Sequence, residues 1–172
     1  MGSPTRQTSI SFGPPVDRLL SLAKVDFIPD PTQPSWARLA LATVVSLVGS
    51  LAADAALVAL GTRVFPSTKG YEHFLFSDYA KLTVIGVIIA CMAWPIVTRI
   101  SSQPRWLFFR LAIAVTLVLF LPDLWIYLNG SPGRAVAILL LMHLAIAVVT
   151  YNALVRLAPA GGRGRHSGHG RQ

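Results

Sequence analysis

The sequence predicts an all-α fold, a four-transmembrane-helix bundle with short loops, on three observations. Of its 172 residues, 53% are hydrophobic and 13% charged, where a typical soluble domain carries about 25% charged residues. Four separate apolar stretches each reach the roughly 20 residues that a helix needs to cross a bilayer. Each stretch is bounded by proline, glycine or charge, and the connections between the second and third and between the third and fourth are only a few residues long, which sets those neighbours antiparallel. A mean hydropathy of +0.59 agrees. These properties exclude a disordered chain, a disulfide scaffold and an ordinary soluble enzyme. The single cysteine, Cys91, permits no intrachain disulfide and no cysteine-based zinc motif.

Residues 1–35 form an N-terminal tail without the short apolar core of a cleavable signal, so the first apolar stretch is expected to act as an uncleaved anchor. Within the tail, Val16, Leu19, Leu20, Ala23 and Phe27 repeat at helical spacing after Pro14-Pro15, opposite Asp17, Arg18, Ser21 and Lys24. The pattern fits an amphipathic helix over 15–28 lying on the membrane face. A linker that touches the bundle fits it equally.

The membrane domain covers 36–158, with spans expected at about 36–60, 79–100, 106–128 and 133–157. Pro34 precedes the first, and Gly61 and Arg63 follow it. Gln103-Pro104-Arg105 separates the second from the third, and Asn129-Gly130-Ser131-Pro132-Gly133 turns the chain between the third and fourth. Pro159 and Gly161-Gly162 end the last. Residues 159–172 read as a disordered basic tail, whose His166 and His169 make a poor metal site on so flexible a segment.

Formal net charge is +8. The bases sit at span ends and in the tails, without the basic, aromatic-studded patch of a nucleic-acid binder, so no nucleic-acid partner is expected. Eleven Lys and Arg residues fall on the side of both termini, and four (Arg63, Lys69, Lys81 and Arg134) on the other. The positive-inside rule then puts both termini in the cytoplasm of a multi-pass cell-membrane protein. Trp36, Trp106, Tyr79, Trp125 and Tyr127 lie near span ends, as interfacial belt residues do.

Ionisable groups inside a span are costly and tend to face the bundle interior. Asp54, Asp123 and His143 are the three candidates, each roughly 9–15 Å from the outer end of its span at the rise of an α-helix. If their faces agree, two carboxylates and an imidazole form a cluster able to hold or pass a proton. The plainer role is polar glue between helices. Asp123 follows Pro122, which suggests local unwinding. Ser46, Gly49, Ser50 and Ala53 offer small residues for a close helix approach, and Pro95 beside Trp94 is expected to bend the second span.

The outer loop, 62–78, holds Glu72, His73 and Asp78 but no recognised metal-ligand spacing. No GxSxG, Walker loop, HExxH or CxxC occurs, so neither catalysis, metal nor cofactor is expected. Besides the lipid bilayer, the expected partner is a second copy or another membrane protein.

The run Pro104-Arg105-Trp106-Leu107-Phe108-Phe109-Arg110-Leu111-Ala112, the step Leu140-Leu141-Met142-His143-Leu144 and the close Leu154-Val155-Arg156-Leu157 resemble a family of small uncharacterised four-helix membrane proteins of actinobacteria. Ala52-Ala53-Asp54-Ala55 stands where that family tends to carry a polar residue in its first helix. The resemblance covers roughly 36–159. It implies the four-span topology and marks His143 as a position to test, and Asp123 after Pro122 departs from the family's usual turn. From the residues alone, the leading expectation is a non-enzymatic accessory or structural bundle. The alternative is a small proton-coupled transporter or channel using Asp54 and His143, assembled as a dimer because four helices enclose little space.

Overall fold

The structure is a computed structural model that describes residues 13–23 and 33–160. Five α-helices account for most of it: α1 (Pro14–Ala23), α2 (Trp36–Val64), α3 (Phe76–Ile100), α4 (Pro104–Leu128) and α5 (Gly133–Leu157). No strand occurs among the described residues, and α2 to α5 are each long and apolar enough to cross a membrane.

The spans follow the expected boundaries with instructive differences. Helix α2 opens at Ser35, whose hydroxyl accepts from the Arg38 amide at 3.4 Å, satisfying one of the free N–H groups of the first turn. It then runs through Gly61 and Arg63 to Val64, because a glycine inside an apolar span costs less than exposing unpaired backbone to lipid. Two 3-10 turns, Pro66–Thr68 and Glu72–Phe74, fold the outer loop, and α3 starts at Phe76. Helix α4 has Pro104 in its first turn, where a missing N–H is harmless. It closes in a Schellman motif: the amides of Gly130 and Ser131 reach the carbonyls of Tyr127 and Ile126 at 3.1 and 3.3 Å, with Gly130 at a φ of 94° that only glycine adopts freely. Helix α4 also continues through Pro122, so the unwinding expected at Asp123 does not occur. Proline removes one backbone donor there, and the neighbouring turns keep their own bonds.

The amphipathic segment expected at 15–28 is described only as far as Ala23, up to which it is helical. Helix α1 ends at Ala23, and the remainder of 15–28, with Lys24 and Phe27, lies outside the described residues, as does the tail from Gly161 with His166 and His169.

Helices α2 and α5 share the largest interface, and glycines explain why. A Cβ at Gly49 would stand 2.9 Å from Val149 Cγ1, and one at Gly61 would meet Ile138, with Cγ1 at 2.9 Å. Bare backbone at two levels therefore lets the helices approach closely along most of their length. Of Ser46, Gly49, Ser50 and Ala53, Gly49 is the one whose lack of a Cβ the contact requires, and Gly61 further along α2 is the other such position.

Two apolar clusters fill the bundle. At the end bearing both described chain ends, Trp94, Val97, Leu107, Phe108 and Leu154 pack together. There Trp94 Nε1 donates to the Ala158 carbonyl at 2.9 Å, and Thr98 exchanges hydrogen bonds with Gln33. At the opposite end Phe74, Tyr79, Ile138, Leu139 and Met142 form the second cluster, and the Tyr71 and Ser131 hydroxyls join the two loops at 3.2 Å. Outward faces are apolar: Leu82, Ile85, Ile89, Met92 and Ile96 of α3 are all exposed. In water such a surface would be an aggregation hazard; in a bilayer it is the solvated surface.

Candidate functional site

Between the two apolar clusters lies a layer of polar side chains. On α2, Ser46, Ser50 and Asp54 recur every four residues along one face, and all three are fully buried. Four-residue spacing stacks side chains on one side of a helix, so one stripe delivers a carboxyl group and two hydroxyls into the bundle. Ser46 bonds back to its own helix at the Ala42 carbonyl, 2.7 Å away. Ser50 does not, and its hydroxyl has no protein partner.

Asp54 meets α3 through Thr83, whose hydroxyl donates to Asp54 Oδ2 at 2.7 Å. The other carboxyl oxygen, Oδ1, is buried without a partner. Tyr79, one turn along α3, is buried and within electrostatic reach of Asp54. It therefore belongs to the interior of the bundle, unlike Trp36, Trp125 and Tyr127, which are exposed near span ends. The expectation of Tyr79 as a belt residue is corrected on that ground. The stripe Tyr79, Thr83, Val87 and Cys91, buried at four-residue intervals, is the face of α3 turned to Asp54.

The second carboxyl is organised differently. Asp123 on α4 is almost fully buried, and its Oδ2 lies 3.0 Å from His143 Nδ1 on α5. The same nitrogen stands 3.0 Å from the Leu139 carbonyl, one turn back along α5. An Nδ1–H has one proton and here faces two acceptors. It is aligned on the carbonyl, so Asp123 Oδ2 makes the ionic contact without a well-directed hydrogen bond. Phe120 presents its ring edgewise to the imidazole, with centroids 6.3 Å apart, and the His143 side chain stays about 25% exposed along the α4–α5 seam.

The α2–α5 register brings the two halves to one depth. The meetings of Gly49 with Val149 and of Gly61 with Ile138 place Asp54 within about one turn of His143. No hydrogen bond joins the two groups, since Asp54 bonds Thr83 and His143 bonds the Leu139 carbonyl. Asp54, Asp123 and His143 thus share a layer, in which Asp123 and His143 touch and Asp54 stands off on Thr83. By the same register Ser50 and Thr150 lie level with each other, beside the Gly49–Val149 contact, and the Thr150 hydroxyl also has no protein partner.

Four buried oxygens without a hydrogen-bond partner fall at two levels, Asp54 Oδ1 and Asp123 Oδ2 together and the Ser50 and Thr150 hydroxyls one to two turns away along α2 and α5, an unusual number since buried polar atoms are nearly always paired. The two carboxyl oxygens can take a proton, and all four can accept a hydrogen bond from water or another donor. The sequence marked the three ionisable residues. It missed Thr83, Ser50 and Thr150, whose signal is a hydroxyl on the buried face of an apolar span without a bond to the preceding turn.

The remaining candidates separate from this layer. Glu72 and His73 form a loose exposed pair at 3.7 Å, and Asp78 lies beside Ser77. No group of three or more metal-ligating side chains occurs among the described residues. Lys81 is exposed, and the Arg134 guanidinium sits over the Phe65 ring at 5.2 Å.

No curated protein and no solved structure matches the chain. The family DUF6069, described only as a family of unknown function, matches residues 30–160, a range that takes in all four long helices and every residue of the polar layer. The chain belongs to that family of uncharacterised proteins.

Proposed function

We propose that this membrane protein is a small proton-coupled transporter, with Asp54, Asp123 and His143 as its proton-binding layer. One observation carries the reading: two buried carboxyl groups and an imidazole share a depth between apolar clusters, and one oxygen of each carboxyl lacks a hydrogen-bonded partner. Intramembrane ionisable groups are expensive to keep, and helix packing alone is served as well by hydroxyls and amides. At His143 the proton has two places to rest. With Nδ1–H held on the Leu139 carbonyl, a proton on Nε2 leaves an imidazolium beside a carboxylate, and the same proton on Asp123 leaves a neutral pair. Asp54 senses that change through space, since no water-rich medium screens it.

The apolar clusters on either side favour a carrier that opens to one face at a time over an open channel. The Lys and Arg excess supports a cytoplasmic position for both termini. A homodimer supplies the enclosed volume that four helices lack, and no chemical step on a substrate is assigned.

The second reading is a non-enzymatic accessory or structural bundle that packs against another membrane protein. It is favoured by the way each polar group also ties two helices: Asp54 to Thr83 joins α2 to α3, and Asp123 to His143 joins α5 to α4.

Proteoliposomes separate the two. With a pH gradient imposed, the wild type should dissipate it faster than empty vesicles, and Asp54→Asn and His143→Ala should each lower the rate by about a hundredfold, the lower end of the general range for removing a proton-transfer group. Equal rates for all three proteins, each shown to be folded, would leave the accessory role standing.

A further inference from the structure

A different part of the molecule has the chemistry of an anion site. At the end bearing both described chain ends, Arg105, Trp106, Phe109 and Tyr151 line an open cleft of about 430 Å³ between α4 and α5. Arg110 joins it from one turn further along α4. Side chains on a helix lean towards its N-terminus, and the Arg110 guanidinium accordingly lies back over the Trp106 ring, 4.5 Å from its centre. A long cation that starts within an apolar span and bends towards the membrane surface in this way is snorkelling. Two guanidinium groups, an indole and the Tyr151 hydroxyl are thereby brought to the end of the span, the depth at which lipid headgroups sit.

Among the described residues neither arginine meets a carboxylate: the ion pairs there are His73 with Glu72 and His143 with Asp123. Arg110 donates instead to the Leu22 carbonyl of α1, a neutral acceptor that tethers that short helix beside the cleft. The flanking surface is apolar and open: Phe109, Ile113 and Val148 are all exposed on the membrane side of the cleft.

We propose that this cleft binds an anionic phospholipid, with Arg105 and Arg110 on the phosphodiester and an acyl chain along Phe109, Ile113 and Val148. Guanidinium groups match a phosphate's oxygens in a forked geometry, and basic pockets between spans at the inner membrane face suit anionic headgroups. The site does not depend on proton handling, so it stands or falls separately.

The test uses the full-length protein in mild detergent, exposed to equimolar phosphatidylglycerol and phosphatidylcholine, with retained lipid read by native mass spectrometry. Phosphatidylglycerol should be retained about tenfold over phosphatidylcholine. Arg105→Gln should remove most of that preference, and Arg105→Lys should restore part of it. Arg134→Gln at the opposite end should leave it intact. Because Arg110 also holds α1, Arg110→Gln is scored only alongside Arg105→Gln, in which that tether is unchanged. Equal retention of the two lipids, or a preference untouched by Arg105→Gln, would overturn the proposal. So would displacement of the bound lipid by inorganic phosphate, which would assign the cleft to a soluble anion.

Discussion

Gly61→Leu should be among the most damaging substitutions in the membrane domain. Any Cβ at that position runs into Ile138 of α5, with Cγ1 2.9 Å away and Cδ1 nearer still. The Cδ1 end of Ile138 can turn aside, but Cγ1 and Cγ2, 2.9 and 3.5 Å away, sit on its branched Cβ and move only with the whole side chain. Overpacking a fitted interface costs about 1–3 kcal/mol, and here the strained contact lies in the largest helix pair of the bundle. The loss should appear as earlier unfolding in a denaturing-detergent titration. Specificity comes from repair: Gly61→Ala should be destabilised less than Gly61→Leu and recover when Ile138→Ala opens the space. If Ile138→Ala only adds to the damage of Gly61→Ala, the close approach is not what glycine provides there.

Asp123→Leu should cost about 3 kcal/mol, the lower end of what losing one member of a buried charged pair costs. It strips Nδ1 of His143 of the carboxylate 3.0 Å away. Adding His143→Leu should return most of the stability, because a matched apolar pair requires neither desolvation nor a hydrogen bond. The double variant should nevertheless remain inactive in the vesicle assay. Ordinary polar contacts between membrane helices contribute about 0.6 kcal/mol on average. A measured coupling near that value would mark Asp123 and His143 as helix glue without stored charge.

Much of the architecture is legible in the sequence because lipid imposes few solutions. Apolar length fixes the number of spans, and a Pro/Gly turn such as Asn129–Pro132 fixes where the chain reverses. Ends are harder. Gly61 and Pro122 look like breakers, yet both lie within continuous helices, since a bilayer penalises unpaired backbone more heavily than poor helix propensity. Asp54, Asp123 and His143 could be named because charge stands out in an apolar span, and their common depth followed from counting residues along each helix. Their pairing could not be read in this way. Which helix faces which depends on close approaches such as Gly61 to Ile138, and that geometry sets Asp123 against His143 while giving Asp54 to Thr83. Tyr79 shows the same limit: position along the span suggests an interfacial ring, and rotation about the helix axis buries it.

The most direct measurement of the central claim, that the three ionisable residues act as one proton-binding layer, is an infrared pH titration of the protein in lipid nanodiscs. The carboxyl band of Asp54 is assigned by its disappearance in Asp54→Asn. Interacting groups titrate as a set, so the midpoint of the Asp54 band should shift when His143 is replaced by alanine. An Asp54 band that titrates identically in wild type and His143→Ala would contradict the account and reduce the layer to separate helix contacts.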